Sequence, residues 1–147
     1  DISVVRENFH LYLEQIVQLD KACFPESPWG LDTWKGLFDN RNLRVLLSTC
    51  EKRLIGFCAV GLLSPEAELL RIGIRPEFRR QSLGSHLVEW MILEMKVEGV
   101  SVLFLEVRED NLEAYRLYLK NGFQKVGERK QYYRNPTCNA LIFNRKI

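Results

Sequence analysis

A short basic turn at residues 79–85 (RRQSLGS) joins a strand-like apolar run to a long helix-like segment, and this arrangement constrains the fold most. The run covers residues 69–74, and after the turn apolar residues recur every fourth position from Leu83 to Met95. The first backbone N–H groups of a helix lack partners within it and carry partial positive charge. Two arginines add full charge, and Gly84 allows close approach to the backbone. The pattern predicts a strand–turn–helix unit with an anion site, against the alternative of a solvated basic loop.

The rest of the chain predicts a mixed sheet with helices. Strand-like runs occupy residues 2–6, 43–49, 54–63, 100–107, 123–133 and 140–147, and helix-like segments occupy residues 31–39 and 112–120. A further helix that carries Leu13 and Ile16 would be capped by Asn8, and Asn111 would cap the helix at 112–120. The apolar run at 100–107 is typical of a strand covered on both faces. We expect the α/β class, with helices on both faces of the sheet, in one domain of residues 1–147.

Composition and charge exclude several function classes. No apolar run is long enough to span a bilayer, and a net charge of +2 without a basic aromatic stretch argues against nucleic-acid binding. The four cysteines form no C-x-x-C pair, and the two histidines have no partners at metal spacing. We therefore expect no disulfide framework, no metal and a cytoplasmic setting. Because the printed chain begins at Asp1, it leaves open whether a targeting segment was removed.

Two side chains in apolar surroundings are candidates for chemistry. Glu106 interrupts the run VLFLEV and shares a strand face with Phe104 by two-residue alternation. A carboxylate there is rarely buried without partners, so it either pairs near the strand end, for example with Arg108, or has a function. The residues alone leave both open. Tyr118 lies on the short helix that follows, where the residues alone favour a core aromatic with a satisfied hydroxyl.

Several motifs together resemble the GCN5-related N-acetyltransferase (GNAT) superfamily. The spacing Arg79-x-x-Ser82-x-Gly84 is similar to the pyrophosphate loop Q/R-x-x-G-x-G/A, and residues 106–108 (EVR), Asn111, 117–118 (LY) and 121–123 (NGF) match the second half of that fold. The similarity is strongest from residue 69 to residue 133, and within the superfamily it is greatest to the ribosomal-protein alanine N-acetyltransferases. The resemblance implies a mostly antiparallel sheet with a central, splayed parallel strand pair and helices on both faces.

The resemblance also implies a cosubstrate and residue roles. It implies direct acetyl transfer from acetyl-CoA to an amine, with Glu106 as base and Tyr118 as acid at the CoA sulfur. The residues that it implies for acetyl-CoA binding are Ile72, Gly73, Ile74, Arg79, Arg80, Gln81, Ser82, Leu83, Gly84, Ser85, Asn111 and Tyr118. Ser82 stands where the family has its first loop glycine. If that position needs a positive φ, the side chain costs about 1–2 kcal/mol, whereas at a negative φ serine is tolerated.

The acceptor amine is less well defined by the sequence. An N-terminal α-amine has a pKa near ~8 against ~10.4 for lysine, so a single carboxylate deprotonates it more easily. The resemblance implies an N-terminal alanine on a partner protein, a small-subunit ribosomal protein. Predicted walls of the peptide groove are Phe24, Trp29, Tyr132 and Tyr133, and for each of them packing under a loop is an equal alternative. Acetylation of a small amine such as a polyamine or aminoglycoside, and CoA binding without turnover, are the competing hypotheses.

Overall fold

The computed structural model describes residues 2–5, 9–79, 82–134 and 137–147, which form one seven-stranded sheet and four α-helices. The strands are β1 (Ile2–Val5), β2 (Leu43–Cys50), β3 (Arg53–Leu63), β4 (Glu66–Ile74), β5 (Val102–Arg108), β6 (Gln124–Tyr133) and β7 (Cys138–Lys146). The helices are α1 (Leu13–Cys23), α2 (Leu31–Asp39), α3 (Leu83–Val97) and α4 (Leu112–Lys120). The strand order is β1-β2-β3-β4-β5-β7-β6, and β4 and β5 form the parallel pair among antiparallel neighbours. The mixed α/β prediction is confirmed.

Local sequence signals place the helices correctly. The predicted bounds of α2 and α4 agree with the structure, and the Asn111 Oδ1 accepts a hydrogen bond from the Ala114 backbone N–H at 3.1 Å, as expected of an N-cap. The predicted cap Asn8 lies outside the described residues. A 3₁₀ turn over Phe9–Tyr12 leads into α1, and Tyr12 at the N-cap position makes no side-chain capping hydrogen bond. Across the described ranges, no helix combines the length and hydropathy that a bilayer crossing requires.

The helices create two apolar cores, one on each face of the sheet. The first lies under α3 and α4 and includes Leu87, Met91, Leu105 and Phe143. The second lies under α1 and α2 and is centred on Trp34 and Phe57. Hydrophobic burial on both faces is what fixes a central sheet between helical layers.

The prediction that β5 is covered on both faces is wrong. Its residues alternate between buried and half-buried, with Leu103, Leu105 and Val107 inward and Phe104 and Glu106 on the other face. The reason is that α1 and α2 pack on β2, β3 and β4, and so leave that face of β5 partly open.

The parallel pair separates part-way along its length. β4 and β5 pair from Glu66↔Val102 to Leu69↔Leu105, although β4 continues to Ile74 and β5 to Arg108. Near this point the register of β4 on β3 shifts, and β4 then stays with β3 while β5 stays with β7. The expected splay is therefore present, and it opens a gap between the carboxyl ends of two central strands.

Candidate active site

A cleft of about 470 Å³ lies beside this gap, between the end of β4 and the starts of α3 and α4. Eight of the residues predicted to bind acetyl-CoA line it: Ile72, Gly73, Ile74, Arg79, Ser82, Gly84, Ser85 and Asn111. Arg80 and Gln81 lie outside the described residues. The side chains of Leu83 and Tyr118 are buried in the core under α3 and α4 and do not line the cleft. The structure thus brings together most of the predicted set around one opening.

The β4 wall of the cleft depends on a residue without a side chain. A Cβ at Gly73 would lie 2.4 Å from Cε1 of Phe57, a fully buried ring of the core under α1 and α2. The glycine therefore allows the Phe57 ring of this core to pack closely against the backbone of β4. Next to it, the Ile74 carbonyl accepts hydrogen bonds from Arg79 Nε at 3.2 Å and from the Cys23 thiol at 3.5 Å. These bonds hold the turn after β4 against the end of α1.

The start of α3 adopts the strained alternative for Ser82. This residue has φ 62° and ψ 10°, a left-handed conformation, and its side chain makes no capping hydrogen bond. The first intrahelical bond runs from the His86 N–H to the Ser82 carbonyl at 3.0 Å. The N–H groups of residues 83–85 come before it and so have no acceptor within the helix. A Cβ at Gly84 would lie 3.1 Å from Cδ1 of Ile74 and 3.3 Å from Cδ1 of Leu117, so the glycine lets these two side chains pack closely against the start of α3. Helix-start amides and Arg79 together make this end of the cleft suitable for an anion.

Glu106 is the first β5 residue beyond the last β4–β5 pair. Its Oε1 accepts a hydrogen bond from Arg129 Nε of β6 at 2.7 Å, and its side chain is 25% exposed. The sequence suggested Arg108 as a possible partner of Glu106; the structure pairs Glu106 with Arg129, and Arg108 with Asp110 at 3.0 Å. Burial raises the pKa of the neighbouring Glu68, the negative charge of Glu106 raises it further, and Arg129 lowers it. Glu68, Glu106 and Arg129 therefore form one group of interacting charges.

Tyr118 lies on the opposite face of the sheet from Glu106. Its ring packs against Phe123 and Phe143, with centroids 5.8 and 6.5 Å away. Burial raises the pKa of its hydroxyl, and the charges of Cys58 and Tyr133 raise it further. The side chain of Tyr118 thus belongs to the core under α3 and α4.

The four aromatic residues predicted to line the peptide groove lie in two separate places. Phe24 lines the cleft, whereas Trp29 packs between the Arg71 guanidinium, 4.2 Å from its ring centroid, and Trp34, 5.0 Å away. On the other side, Tyr132 and Tyr133 meet edge to face at 5.2 Å. Their rings also lie near arginines: Arg129 is 5.5 Å from Tyr132, and Arg108 is 5.0 Å from Tyr133.

Sequence reasoning missed two arginines of the site, Arg129 and Arg71. Arg129 reaches Glu106 only because β6 pairs with β7 and β7 with β5, a register that the sequence does not reveal. Arg71 likewise pairs with Asp20, 51 residues away. A local signal did exist for Arg71, since a charged residue occurs in the otherwise apolar strand run at 69–74.

Comparison with known proteins identifies the family. The model of the acetyltransferase (GNAT) family matches residues 13–123. The ribosomal protein bS18-alanine N-acetyltransferase of Salmonella typhimurium is 37% identical over 113 residues, which cover 77% of this chain and 74% of the relative. Its counterpart in Haemophilus ducreyi is 32% identical over 145 residues, which cover 95% and 94%. The crystal structure of the ribosomal-protein-S18-alanine N-acetyltransferase from Escherichia coli superposes with a TM-score of 0.89 at 26% identity, over 100% of this chain and 94% of that one. The chain therefore belongs to the GNAT family of acetyltransferases, enzymes that use acetyl-CoA as the acetyl donor.

Proposed function

We propose that this protein transfers the acetyl group of acetyl-CoA to the N-terminal α-amine of a protein, with an alanine of a small-subunit ribosomal protein as the acceptor. The observation that carries the proposal is the gap between β4 and β5, which adjoins the cleft and has Glu106 on one face of the sheet and Tyr118 on the other. Relatives at 37% and 32% identity are named for the acetylation of an alanine in ribosomal protein bS18, which supports the choice of acceptor.

The cleft offers two kinds of group to acetyl-CoA. At one end, the amides of residues 83–85 and the guanidinium of Arg79 suit the negative charge of the diphosphate. Toward the gap, β4 has no β5 partner beyond Leu69, so backbone groups on that edge of residues 70–74, apart from the Ile74 carbonyl, are left for the amide-rich arm of CoA. Ile72, Gly73 and Ile74 belong to this segment and line the cleft.

Glu106 is the proposed base for the acceptor ammonium. In the proposed complex, the incoming amine replaces the Arg129 guanidinium at Oε1 of Glu106. The exchange is easy, since Arg129 is 55% exposed on the edge strand β6 and exposed ion pairs contribute little to stability. An α-amine with a pKa near ~8 loses its proton more easily than a lysine with a pKa near ~10.4, which makes it the better acceptor for a carboxylate base.

Tyr118 is the proposed hydrogen-bond donor to the departing sulfur. A phenol with a pKa near ~10 and a thiol near ~8.5 make complete proton transfer uphill by roughly 2 kcal/mol. Burial raises the pKa of Tyr118 and makes that transfer more unfavourable still. A hydrogen bond that strengthens as negative charge develops on sulfur is therefore favoured over early transfer of the proton.

The same proposal covers the extent and the setting of the enzyme. Residues 1–147 would act as a single acetyltransferase domain, since the family match at residues 13–123 includes α1 to α4 and the gap. A ribosomal protein as acceptor would place the reaction in the cytoplasm.

The test is an acetylation assay with acceptors of different class. The protein and acetyl-CoA are mixed separately with a basic peptide that begins with alanine, the same peptide with a blocked N-terminus, a polyamine and an aminoglycoside. The proposal predicts one acetyl group on the alanine amine by mass spectrometry, with the blocked peptide unmodified. Modification of the small amines alone would make this an enzyme for small amines. Binding of CoA with no product at all would contradict the assignment of an enzyme.

A further inference from the structure

A buried ion pair joins α1 to β4 beside the loop of residues 24–30. The Asp20 side chain is fully buried, and its Oδ1 accepts a hydrogen bond from Arg71 Nη1 at 2.8 Å. The Asp20 Oδ2 accepts a hydrogen bond from the Trp29 backbone N–H at 2.6 Å. Buried ion pairs often add little net stability compared with apolar side chains of similar size. The pair does fix the position of Trp29, because Asp20 connects the Trp29 backbone to both α1 and β4.

Arg71 contacts the loop at three points. Its guanidinium carbon lies 4.2 Å from the ring centroids of both Phe24 and Trp29. Its Nη2 donates a hydrogen bond to the Ser27 carbonyl at 2.9 Å. The loop has no helix or strand of its own, and two of its seven residues are prolines, which lack a backbone N–H. Side-chain contacts therefore determine where this loop lies.

The contacts lie between the two halves of the active site. Arg71 directly precedes Ile72, which lines the cleft together with Phe24. Three residues before Arg71 on the same strand is Glu68, which interacts with the charge of Glu106. Phe24 and Trp29 pack with the core under α1 and α2, on the sheet face that also carries Glu106. The loop is thus held at the border between the cleft and the proposed base.

From these contacts we infer that Arg71 is a positioning residue for the acceptor. With Asp20 it holds loop 24–30 as a fixed wall on the acceptor side of the gap, so that the incoming N-terminus meets a preformed surface beside Glu106. This inference rests on the proposed function. It assigns to Arg71 an effect on acceptor binding that acts through Phe24 and the loop backbone, without contact with the reacting atoms.

The substitution Arg71→Lys separates positioning from charge. A lysine keeps a positive charge for the buried Asp20, so the variant avoids an unpaired buried carboxylate. It lacks the flat guanidinium that lies between two rings and the fork that serves two acceptors at once. Arg53→Lys is the matched control, because Arg53 pairs with Glu77 at 3.2 Å with both side chains more than half exposed.

The experiment measures steady-state kinetics and hydrogen exchange on the whole chain. For Arg71→Lys we expect the KM of the alanine peptide to rise about tenfold, or about 1.4 kcal/mol. The KM of acetyl-CoA and kcat should change by less than about twofold, since the start of α3 and Glu106 keep their places. Amide exchange at Trp29 should become faster. Arg53→Lys should behave as the wild type in all of these measurements.

A second variant, Trp29→Leu, removes one of the two rings and leaves the pair of Asp20 and Arg71 intact, so it tests the same point if Arg71→Lys folds poorly. It should also raise the peptide KM more than the acetyl-CoA KM. Equal changes in both KM values and in kcat, or no change with either variant, would overturn the inference while the proposed function stands. A wild-type protein that leaves the peptide unmodified would overturn the proposed function, and the inference with it.

Discussion

Replacement of Ser82 by glycine should stabilise the ligand-free protein. Ser82 has φ 62° and ψ 10°, and its side chain makes no capping hydrogen bond that the change would remove. A left-handed conformation costs a residue with a Cβ about 1–2 kcal/mol. Glycine also makes the unfolded chain more flexible, which offsets roughly 0.4–1 kcal/mol of that relief. The expected net gain in unfolding free energy is therefore roughly 0.8 kcal/mol.

The assay is urea unfolding followed by tryptophan fluorescence, together with a thermal melt. For a chain of this size the gain corresponds to a rise in Tm of roughly 2–3 °C, and the urea midpoint should rise with the slope unchanged. Ser82→Ala is the matched control, because alanine removes the hydroxyl but keeps the Cβ and hence the strain. It should stay within about 0.5 kcal/mol of the wild type. A glycine variant no more stable than the alanine variant would refute the reasoning.

Three further substitutions test other parts of the account. Glu106→Gln should reduce acetyl transfer most near neutral pH and less at high pH, where an α-amine with a pKa near ~8 loses its proton unaided; a loss that does not vary with pH would argue against Glu106 as the base. Burial raises the pKa of Tyr118, so the unfolded chain ionises first and stability is complete below about pH 10 and lost above it. In urea unfolding over that range, Tyr118→Phe should lose less stability than the wild type or the exposed control Tyr132→Phe; parallel losses would contradict the burial argument. Gly73→Ala should destabilise the fold by about 1–3 kcal/mol in the same assay, because the new Cβ would lie 2.4 Å from Cε1 of Phe57; a neutral result would mean that this ring moves aside.

Features that depend on neighbouring residues were predicted well. The bounds of α2 and α4 and the capping role of Asn111 follow from signals within a few positions, and the structure has all three. The parallel, splayed pair of β4 and β5 was expected from the resemblance to the family, since nothing in the periodicity of either strand shows which strand it pairs with.

Features that depend on long-range register were not predicted. Arg129 meets Glu106 across two strand pairings, and Arg71 meets Asp20 between a helix and a strand. The half-open face of β5 follows from where α1 and α2 pack, which the apolar run at 100–107 does not reveal. The positive φ at Ser82 was one of two alternatives that the sequence left open.

The residues that line the cleft are seen in the structure, whereas the catalytic roles are inferred. The cleft is formed by residues that the structure describes, and it gathers Ile72, Arg79, Gly84 and Asn111 from three separate stretches of chain. The roles of Glu106 and Tyr118 remain predictions, because they follow from the resemblance and from the positions of the two side chains on opposite faces of the gap.

A crystal structure with a bisubstrate compound tests the central claim most directly. The compound joins CoA through an acetyl linker to the amine of an alanine peptide. The account predicts its diphosphate at the amides of residues 83–85, its linker in the gap between β4 and β5, and Glu106 and Tyr118 on either side of the linker, with Arg129 turned away from Glu106. A diphosphate bound elsewhere, or a linker in contact with neither Glu106 nor Tyr118, would contradict it.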